Sequence, residues 1–288
     1  MESITLPSHA KINLGLKVGQ LRPDGYHDIR SFFQEVNLVD TVRLERLDAD
    51  VIEIVCESDD VPHDERNLAA RAARLLKDEH DRSEGVRISI QKRIPVGAGM
   101  GGGSSNGATT LVGLNRLWNL HLSRAELHAL SLKLGSDVPF FLAGGAAVVS
   151  GRGEHLYPVR GLAETRFVAV DPGFRVRTAW AFENLEIGLT ATPPYISFLN
   201  SVMASGRVNL KRLFCSLEND FLPLVSAKNP VVHEVLDLLG RAGSQCSSLT
   251  GSGSVIFGCF ANVEAVESAA ELLQSSGYHF WICQPRTI

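Results

Sequence analysis

Cysteine is scarce in this sequence, with five residues among 288 that are widely spaced along the chain. Their number is odd and no two form a Cys-x-x-Cys pair, so the pattern favours neither a disulfide framework nor a zinc or redox site. The histidines also lack metal-ligand spacing, since His121 and His128 are seven residues apart, and no metal site is predicted in the protein. We expect reduced and mostly buried thiols at Cys56, Cys215, Cys246, Cys259 and Cys283.

An excess of positive charge and a long hydrophobic run are missing too. The formal net charge is -4, so no basic surface for a nucleic acid is predicted, while a small anionic substrate stays open. The most apolar run, from Pro139 to Val149, is too short to span a bilayer, and the residues up to Leu16 do not have the pattern of a signal peptide. We therefore expect a cytoplasmic protein without a membrane partner. Its oligomeric state, on which the sequence is silent, is expected to be a monomer or a homodimer.

Strand and helix patterns occur together along the chain, and 44% apolar residues suffice for a full core. The segment Val86–Ile90 alternates apolar with polar residues, as a strand with one buried face does, and such strands are typical of antiparallel sheets. The segment Asn67–Leu76 has an apolar helical face and predicts a helix that begins near Asn67. No internal repeat is apparent, and the mixture predicts an α+β fold with mixed, largely antiparallel sheets.

Further elements follow from caps and apolar segments. Helices are predicted from about Asn106 to Trp118 and, after a cap at Ser123, to Leu134. Strands are predicted at Ala146–Val149 and Phe167–Val170. Between these two strands the chain becomes polar and glycine-bearing, which favours a domain boundary near residue 160, with domains at 1–160 and 161–288.

The most informative segment is a glycine loop, Pro95-Val-Gly-Ala-Gly-Met-Gly-Gly-Gly-Ser-Ser-Asn106, between the alternating strand and a helix. Glycine loses more backbone freedom on folding than other residues, so this cluster implies special dihedrals or a close approach to the backbone. Free N–H groups and the positive end of the dipole make a helix N-terminus attractive to phosphate. The loop is therefore a candidate phosphate cradle, although a turn without a ligand remains the alternative.

Three better-known glycine loops fit this segment poorly. A Walker A loop needs Lys-Ser/Thr after its last glycine, where Gly103-Ser104 stands. A dinucleotide fingerprint needs a buried parallel strand before it and an acidic residue about 20 positions later, where only Glu126 in a polar helical segment is found. A protein kinase would also contain His-Arg-Asp and Asp-Phe-Gly, which do not occur.

The loop resembles the second signature of the GHMP kinase superfamily, with Met100 where leucine is common. The other two signatures of that superfamily occur in the expected order, as Ala10-Lys-Ile-Asn-Leu14 and Leu249-Thr-Gly-Ser-Gly-Ser254 before a strand at Val255–Phe257. Because three ordered motifs are much more specific than one, the chain is identified as a member of this superfamily. The resemblance implies two domains, with the glycine loop in the N-terminal one, Thr250–Ser254 in the C-terminal one, and the active site in the cleft between them.

Within the superfamily, the details resemble the kinases of the non-mevalonate (MEP) isoprenoid route, which use ATP to phosphorylate the 2-hydroxyl of a cytidine-diphosphate sugar alcohol. The motifs behind this resemblance cover nearly the whole chain: Ala10–Asn13, Arg22-Pro-Asp-Gly-Tyr-His27, Gly103–Asn106, Ser136-Asp-Val-Pro-Phe140 and Asn219-Asp-Phe221. Departures are small, with Ser8-His9 in place of a common Ser-Pro and Gly107 where alanine is usual. The resemblance also implies Mg²⁺ as the companion of ATP, with Ser105 as a candidate contact.

Residue roles carry over by position. The resemblance implies that Lys11 and Asp137 flank the reacting hydroxyl as catalytic residues. The residues implied on the nucleotide side are Pro95, Val96, Gly97, Ala98, Gly99, Met100, Gly101, Gly102, Gly103, Ser104, Ser105, Asn67, Leu68 and Lys92. The residues implied on the substrate side, the aromatic ones around cytosine, are Asn13, Tyr26, His27, Phe33, Thr178 and Phe182.

Each of these roles has an ordinary structural alternative. Asp137 is expected to accept the hydroxyl proton, but it could be a turn or helix C-terminal aspartate that bonds its own backbone. Lys11 lies in an apolar strand-like run and should have an anionic partner, which we expect to be Asp137 and the transferring phosphoryl group, although a solvated strand face is the commoner place for lysine. Tyr26-His27 suits a cytosine ring, yet such a pair after a turn is usually ordinary surface and core.

Two other functions stay open from the sequence alone. Another GHMP kinase, acting on homoserine or mevalonate, would share the ATP site without a cytosine-binding pair. A non-catalytic nucleotide-binding protein would retain the fold, but intact Lys11 and Asp137 argue against it.

Overall fold

The computed structural model describes residues 2–160, 162–186 and 194–287 of the chain. The strands are β1 (Ser3–Leu21), β2 (His27–Leu47), β3 (Ile52–Val55), β4 (Gly85–Gln91), β5 (Ala146–Ser150), β6 (His155–Val159), β7 (Arg166–Asp171), β8 (Cys246–Leu249), β9 (Ile256–Phe260) and β10 (His279–Cys283). The helices are α1 (Leu68–Glu79), α2 (Gly102–Leu117), α3 (Arg124–Leu134), α4 (Val138–Ala143), α5 (Thr178–Glu183), α6 (Pro194–Ser205), α7 (Leu210–Ser216), α8 (Phe221–Lys228), α9 (Val231–Arg241) and α10 (Val263–Ser275). Among the described residues, none of these helices has the length and apolar character needed to cross a membrane.

The chain forms two compact units, neither of which is contiguous in sequence. The first contains the chain up to Ala10, Leu38–Val96 and Gly101–Gly144. The second contains Lys11–Asn37, Gly97–Met100 and the chain from Gly145 onward. Strands β1 and β2 therefore each contribute one part to either unit, and the domain division near residue 160 stays a prediction.

In the first unit, the C-terminal part of β2 pairs antiparallel with β4, which pairs parallel with β3. Val86, Ile88 and Ile90 of β4 are buried while Arg87 and Ser89 between them are only partly buried, so the predicted one-sided strand is confirmed. The apolar faces of α1, α2 and α3 share one core with this sheet. Burial of these faces is the main source of stability in such a layered arrangement.

Local side chains fix where the helices begin. Asn67 caps α1 by accepting a hydrogen bond of 2.9 Å from the amide of Ala69, and Ser123 and Glu126 form a reciprocal capping box at α3. Both predicted helix starts are confirmed. Helix α2 begins at Gly102, four residues before the predicted start at Asn106. The prediction was late because the glycine and serine residues of this first turn have low helix propensity.

In the second unit, β10, β7, β9 and β8 form an antiparallel sheet in that order, with α9 and α10 in the same hydrophobic core. The N-terminal part of β2 pairs antiparallel with β5, and β5 with β6. The predicted strands at Ala146–Val149 and Phe167–Val170 are confirmed, and β9 begins one residue later than the predicted Val255. The α+β class with mixed, largely antiparallel sheets is confirmed.

An ion pair joins Arg286, near the end of the described residues, to Glu35 on β2 within the second unit. Arg286 donates two hydrogen bonds of 3.0 and 3.1 Å to the carboxylate of Glu35 on β2, whose side chain is only 3% exposed. Glu35 also accepts a bond of 2.8 Å from the amide of Gly145. The last described residues are thus held by a nearly buried charge.

The five cysteines carry free thiols, as predicted, but the prediction that most are buried is wrong. Only Cys259 and Cys283 are buried, whereas Cys56 and Cys246 are half-buried. Cys215 is exposed because it lies two positions after the inward-facing Leu213 on α7, which turns it to the opposite side of the helix.

Candidate active site

The glycine loop leads into helix α2 through three residues in the left-handed region. Gly97, Gly99 and Gly101 have φ values of +66°, +84° and +71°, and Gly101 is the N-cap of the helix. Because the N-cap residue is a glycine, it provides no side-chain cap, and within the described residues the first N–H groups of α2 have no side-chain cap bond. A helix N-terminus of this kind has the chemistry that attracts anions, so the predicted role of the loop as a phosphate cradle stays a prediction that this geometry supports.

Two different structural requirements explain why glycine occupies positions in this loop. A Cβ on Gly99 would lie 2.1 Å from the carbonyl oxygen of Thr250, so this glycine permits close backbone packing within the second unit. Apart from the chain neighbours and the backbone of α2 itself, no described atom lies within 4 Å of a Cβ built on Gly97 or Gly103, so these positions border free space. The open positions leave room for a phosphate chain to approach the backbone.

A buried polar network in the first unit supports the start of α2. Its centre is Asp40, which is fully buried and accepts hydrogen bonds of 2.8 and 2.9 Å from the amides of Arg93 and Ile94. Asp40 also accepts from Asn106 at 3.0 Å and from the ammonium of Lys92. The carboxylate thereby joins the residues that follow β4 to the N-terminal part of α2, on either side of the glycine loop.

Three of the predicted nucleotide-side residues have structural partners here. Lys92 pairs with Asp40, Asn67 caps α1, and the Ser105 hydroxyl accepts a hydrogen bond of 2.8 Å from Ser8. Leu68 is the first residue of α1, directly after that cap. These contacts place the side chains firmly, while their role toward a nucleotide stays a prediction.

Lys11 lies in the second unit, where it is 3% exposed on β1. Its ammonium donates to the carbonyl oxygen of Gly99 at 2.9 Å and to the side-chain oxygen of Asn13, and it lies 4.8 Å from the ring centroid of Phe33. The interpretation of Lys11 as a solvated surface residue is therefore wrong, because the strand faces inward here. Its predicted pairing with Asp137 stays a prediction.

Asp137 is half-buried at the N-cap of α4 in the first unit, with φ -87° and ψ -13°. Within the described residues its carboxylate makes no cap hydrogen bond to that helix. Asp137 lies in the turn between α3 and α4, so the alternative of a turn aspartate stays open beside its predicted catalytic role.

An aromatic cluster lies in the second unit at the end of the Tyr26-His27 turn. His27 stacks on Phe182 of α5 at a centroid distance of 5.4 Å, and Phe182 meets Phe221 edge to face at 4.9 Å. The Nδ1 atom of His27 lies 3.0 Å from the carbonyl oxygen of Gly19. Since a carbonyl oxygen only accepts, Nδ1 carries a proton, and in the neutral tautomer with that proton Nε2 is an acceptor.

The other predicted substrate-side residues are distributed around this aromatic cluster and around a second group of residues. This second group, the Lys11 cluster, consists of Lys11 with its contacts Gly99, Asn13 and Phe33. Tyr26 is 51% exposed with the guanidinium of Arg152 5.1 Å from its ring, an open position in which a second ring could stack. Phe33 lies beneath Lys11, and the hydroxyl of Thr178 lies 3.2 Å from that of Ser252 in the Thr250–Ser254 loop. The structure thus brings His27 and Phe182 together and places Phe33 with Lys11 and Asn13.

Three residues that hold this arrangement were not among the predicted site residues: Asp40, Tyr195 and Asn219, although Asn219 occurs in the motif Asn219-Asp-Phe221. Tyr195 is fully buried on α6; its hydroxyl accepts from the amide of Phe32 at 3.0 Å and donates to the carbonyl of Leu14. Its ring lies against Gly15, where an added Cβ would be 2.4 Å from a ring carbon. A tyrosine in a helical segment carries no local signal of such a contact, which depends on tertiary packing alone.

A broad cleft of about 1450 Å³ opens in the second unit next to the aromatic cluster. Its walls include Gly19, Asp28 and Arg30 from the strands around the Tyr26-His27 turn, and Asn219.

The described part of the chain contains no group of three His, Cys, Asp or Glu residues that could hold a metal ion.

Residues 67–145, which contain the uncapped start of α2 and Asp137, match the family model described as "GHMP kinases N terminal domain". The chain is 39% identical over 278 residues to the 4-diphosphocytidyl-2-C-methyl-D-erythritol kinase of Prosthecochloris aestuarii, with 96% of each chain covered. It is similar to the crystal structure of a 4-(cytidine 5'-diphospho)-2C-methyl-D-erythritol kinase, with a TM-score of 0.78, 31% identity and coverage of 98% and 99%. A homoserine kinase from Cytophaga hutchinsonii has a TM-score of 0.79 at 18% identity over 100% and 98% of the two chains, a likeness of fold alone. Identity of this extent over nearly the whole length shows that the chain belongs to the 4-diphosphocytidyl-2-C-methyl-D-erythritol kinase family of the GHMP kinases.

Proposed function

We propose that the protein transfers the γ-phosphoryl group of ATP to the 2-hydroxyl of 4-diphosphocytidyl-2-C-methyl-D-erythritol. The observation that carries this proposal is the uncapped N-terminus of α2, reached through left-handed glycines and open at Gly97 and Gly103. Phosphoryl transfer requires mainly the positioning of donor and acceptor and the neutralisation of charge. The N–H groups of this terminus supply fixed partial positive charge for the phosphates.

The residues of the Lys11 cluster and Asp137 carry the proposed chemistry. Asp137 accepts the proton of the substrate hydroxyl as the new oxygen–phosphorus bond forms and the bond between the γ-phosphorus and its bridging oxygen breaks. Lys11 stabilises the negative charge on the transferring group, and its own position is fixed by the Gly99 carbonyl and Asn13. General base catalysis contributes roughly 10²–10⁴-fold in rate where it operates.

The His27–Phe182 pair supports a cytidine substrate over homoserine or mevalonate. The proton on Nδ1 leaves Nε2 as an acceptor, which suits the exocyclic amino group of cytosine, and the half-exposed Tyr26 offers a stacking face. Homoserine and mevalonate have no ring that would use either group.

Magnesium is proposed as the companion of ATP, and when bound it would supply positive charge that neutralises the charge developing on the phosphates. The hydroxyl of Ser105, in the first turn of α2, is the proposed protein contact. Few protein ligands are needed, because phosphates and waters fill most of the magnesium shell.

The test is ADP release by the purified protein with Mg-ATP and three acceptors in parallel: the cytidine compound, homoserine and mevalonate. Turnover with the cytidine compound alone is expected, and phosphorus NMR of the product should show a new phosphomonoester on the 2-hydroxyl. Asp137→Asn and Lys11→Ala should fold normally and lose most turnover. Wild-type turnover in either variant would remove that residue from the mechanism, and turnover with homoserine or mevalonate instead would replace the proposed substrate.

A further inference from the structure

Asn219 lies in a motif of the chain to which the proposed chemistry gives no role, and it is 6% exposed. Its side-chain amide donates hydrogen bonds of 2.8 Å to the carbonyl of Leu249 and 2.9 Å to the carbonyl of Gly251. Its side-chain oxygen accepts a bond of 2.9 Å from the amide of Phe221 at the start of α8. One carboxamide therefore spans the two peptide carbonyls on either side of Thr250 and is itself held by a helix.

Thr250 carries this constraint toward the Lys11 cluster. Its hydroxyl oxygen accepts a bond of 3.0 Å from the amide of Asn13. The same oxygen lies 3.2 Å from the Asn13 side-chain oxygen and 3.1 Å from the Gly99 carbonyl oxygen, and the hydroxyl donates toward these two acceptors. These two oxygens are the ones to which Lys11 donates. All of these residues belong to the second unit. The position of the Lys11 ammonium is thus defined by two acceptors that share Thr250 as a common neighbour.

The segment around Asn219 is also fastened to the strand that carries Lys11 and Asn13. The amide of Leu16 on β1 donates to the carbonyl of Glu218 at 2.7 Å, and the amide of Asp220 donates back to Leu16 at 3.0 Å. The carboxylate of Asp220 accepts from the amide of Val18 at 2.8 Å and from Lys17 at 2.5 Å. Asn219 is therefore fixed with respect to β1 on one side and to the Thr250–Ser254 loop on the other.

We infer that Asn219 is a positioning residue for phosphoryl transfer, which holds Thr250 so that Asn13 and the Gly99 carbonyl orient Lys11. The inference rests on the proposed function for its kinetic meaning. Asn219 itself is not assigned contact with substrate, so its effect must pass through Thr250. A displacement of about 1 Å at a reacting group can cost about 10²-fold in rate, which makes such a relay measurable.

The experiment is a double-mutant cycle on the full chain with Mg-ATP and the cytidine compound. Asn219→Ala is expected to lower kcat roughly 10- to 100-fold, with a smaller change in KM for ATP, because it disturbs the Lys11 cluster rather than the start of α2. Thr250→Val should lower kcat by a similar factor, and the double variant should be no slower than the slower single one. Thr250→Ser, which keeps the hydroxyl, should restore most of kcat.

Two further variants serve as controls, which separate a specific loss of kcat from a general destabilisation of the fold. Asn229→Ala removes a side chain that bonds the Val225 carbonyl at the end of α8, at 3.0 Å, and should leave kcat unchanged. Asn219→Asp keeps the acceptor for Phe221 but turns an oxygen toward the two carbonyls, and should reproduce the loss of kcat if Asn219→Ala does not fold. Unchanged kcat in either folded Asn219 variant, or losses that multiply in the double variant, would overturn the inference.

A measurement without turnover separates this inference from the proposed function. Hydrogen exchange of peptides that cover Thr250–Val255 should be faster in Asn219→Ala than in the wild-type protein, and unchanged in Asn229→Ala. An inactive wild-type protein with this exchange pattern would refute the proposed function and leave the positioning of Thr250 intact. Unchanged exchange in Asn219→Ala would refute the positioning itself, whatever the activity.

Discussion

Gly99→Ala should destabilise the protein far more than the same change two residues earlier. At Gly99 the new Cβ would meet the Thr250 carbonyl oxygen at 2.1 Å and the Gly253 carbonyl oxygen at 3.1 Å, in a backbone with φ +84°. A left-handed φ costs about 1–2 kcal/mol for alanine, and forcing atoms into a packed site typically costs a further 1–3 kcal/mol. Gly97→Ala has φ +66° but no described atom within 4 Å, so only the dihedral cost of about 1–2 kcal/mol applies.

Urea unfolding of the two variants measures this difference directly. The free energy of unfolding should fall by about 2–5 kcal/mol for Gly99→Ala, the sum of the two costs, and by about 1–2 kcal/mol for Gly97→Ala. Equal losses within about 0.5 kcal/mol, the usual limit of additivity, would refute the argument that Gly99 exists for close packing against the Thr250 loop.

Gly103→Ala completes the comparison, because Gly103 lies in the first turn of α2 and borders open space. Alanine is favoured over glycine in helices by up to about 1 kcal/mol, so stability should hold or rise. The added methyl group would nevertheless occupy space proposed for phosphate, and KM for ATP should increase. An unchanged KM would mean that the nucleotide does not approach the backbone at this residue.

Three further outcomes are expected. Arg286→Ala should lower the free energy of unfolding by about 2–3 kcal/mol, because Glu35 is left as a nearly buried charge. The loss is somewhat less than for a fully buried pair, since Arg286 itself is 44% exposed. Arg241→Ala, which breaks an exposed pair at 3.8 Å, should change the free energy of unfolding by less than about 0.5 kcal/mol, and equal effects of the two substitutions would refute the burial argument. At pH 8, iodoacetamide should modify the exposed Cys215 well before Cys283. The reason is that burial raises the pKa of the Cys283 thiol to about 12, which leaves almost no thiolate to react. Mass spectrometry of the alkylated peptides measures the order of modification, and early modification of Cys283 would contradict the prediction. Chelation by EDTA should abolish ADP release and excess magnesium should restore it, whereas turnover in EDTA would exclude the proposed ion.

The features that the sequence predicted well have local causes. Asn67 and Ser123 begin helices through bonds to residues two and three positions away, and the alternation of β4 is visible in five consecutive residues. The glycine loop was recognisable for the same reason, since its dihedrals and the following helix lie within a dozen residues. The first turn of α2 was predicted too late because helix propensity argues against glycine there.

The residues that hold the site escaped prediction because their partners are distant in sequence. Asp40 reaches Asn106 across 66 positions, Tyr195 reaches Phe32 across 163, and Asn219 reaches Leu249 across 30. An aspartate, a tyrosine and an asparagine are common residues, and nothing in their immediate neighbours indicates burial with satisfied polar groups. Their contacts follow from the tertiary fold and become visible only with it.

Gly15 and Tyr195 each restrict which residue can occupy the other position. Any side chain at Gly15 would enter the tyrosine ring, and φ +88° at that residue disfavours any replacement. A smaller residue at Tyr195 would leave a void against the glycine and remove the hydroxyl from the Leu14 carbonyl and the Phe32 amide. Across relatives, the two positions should therefore be kept together or exchanged together, so that a change at either one foretells a change at the other.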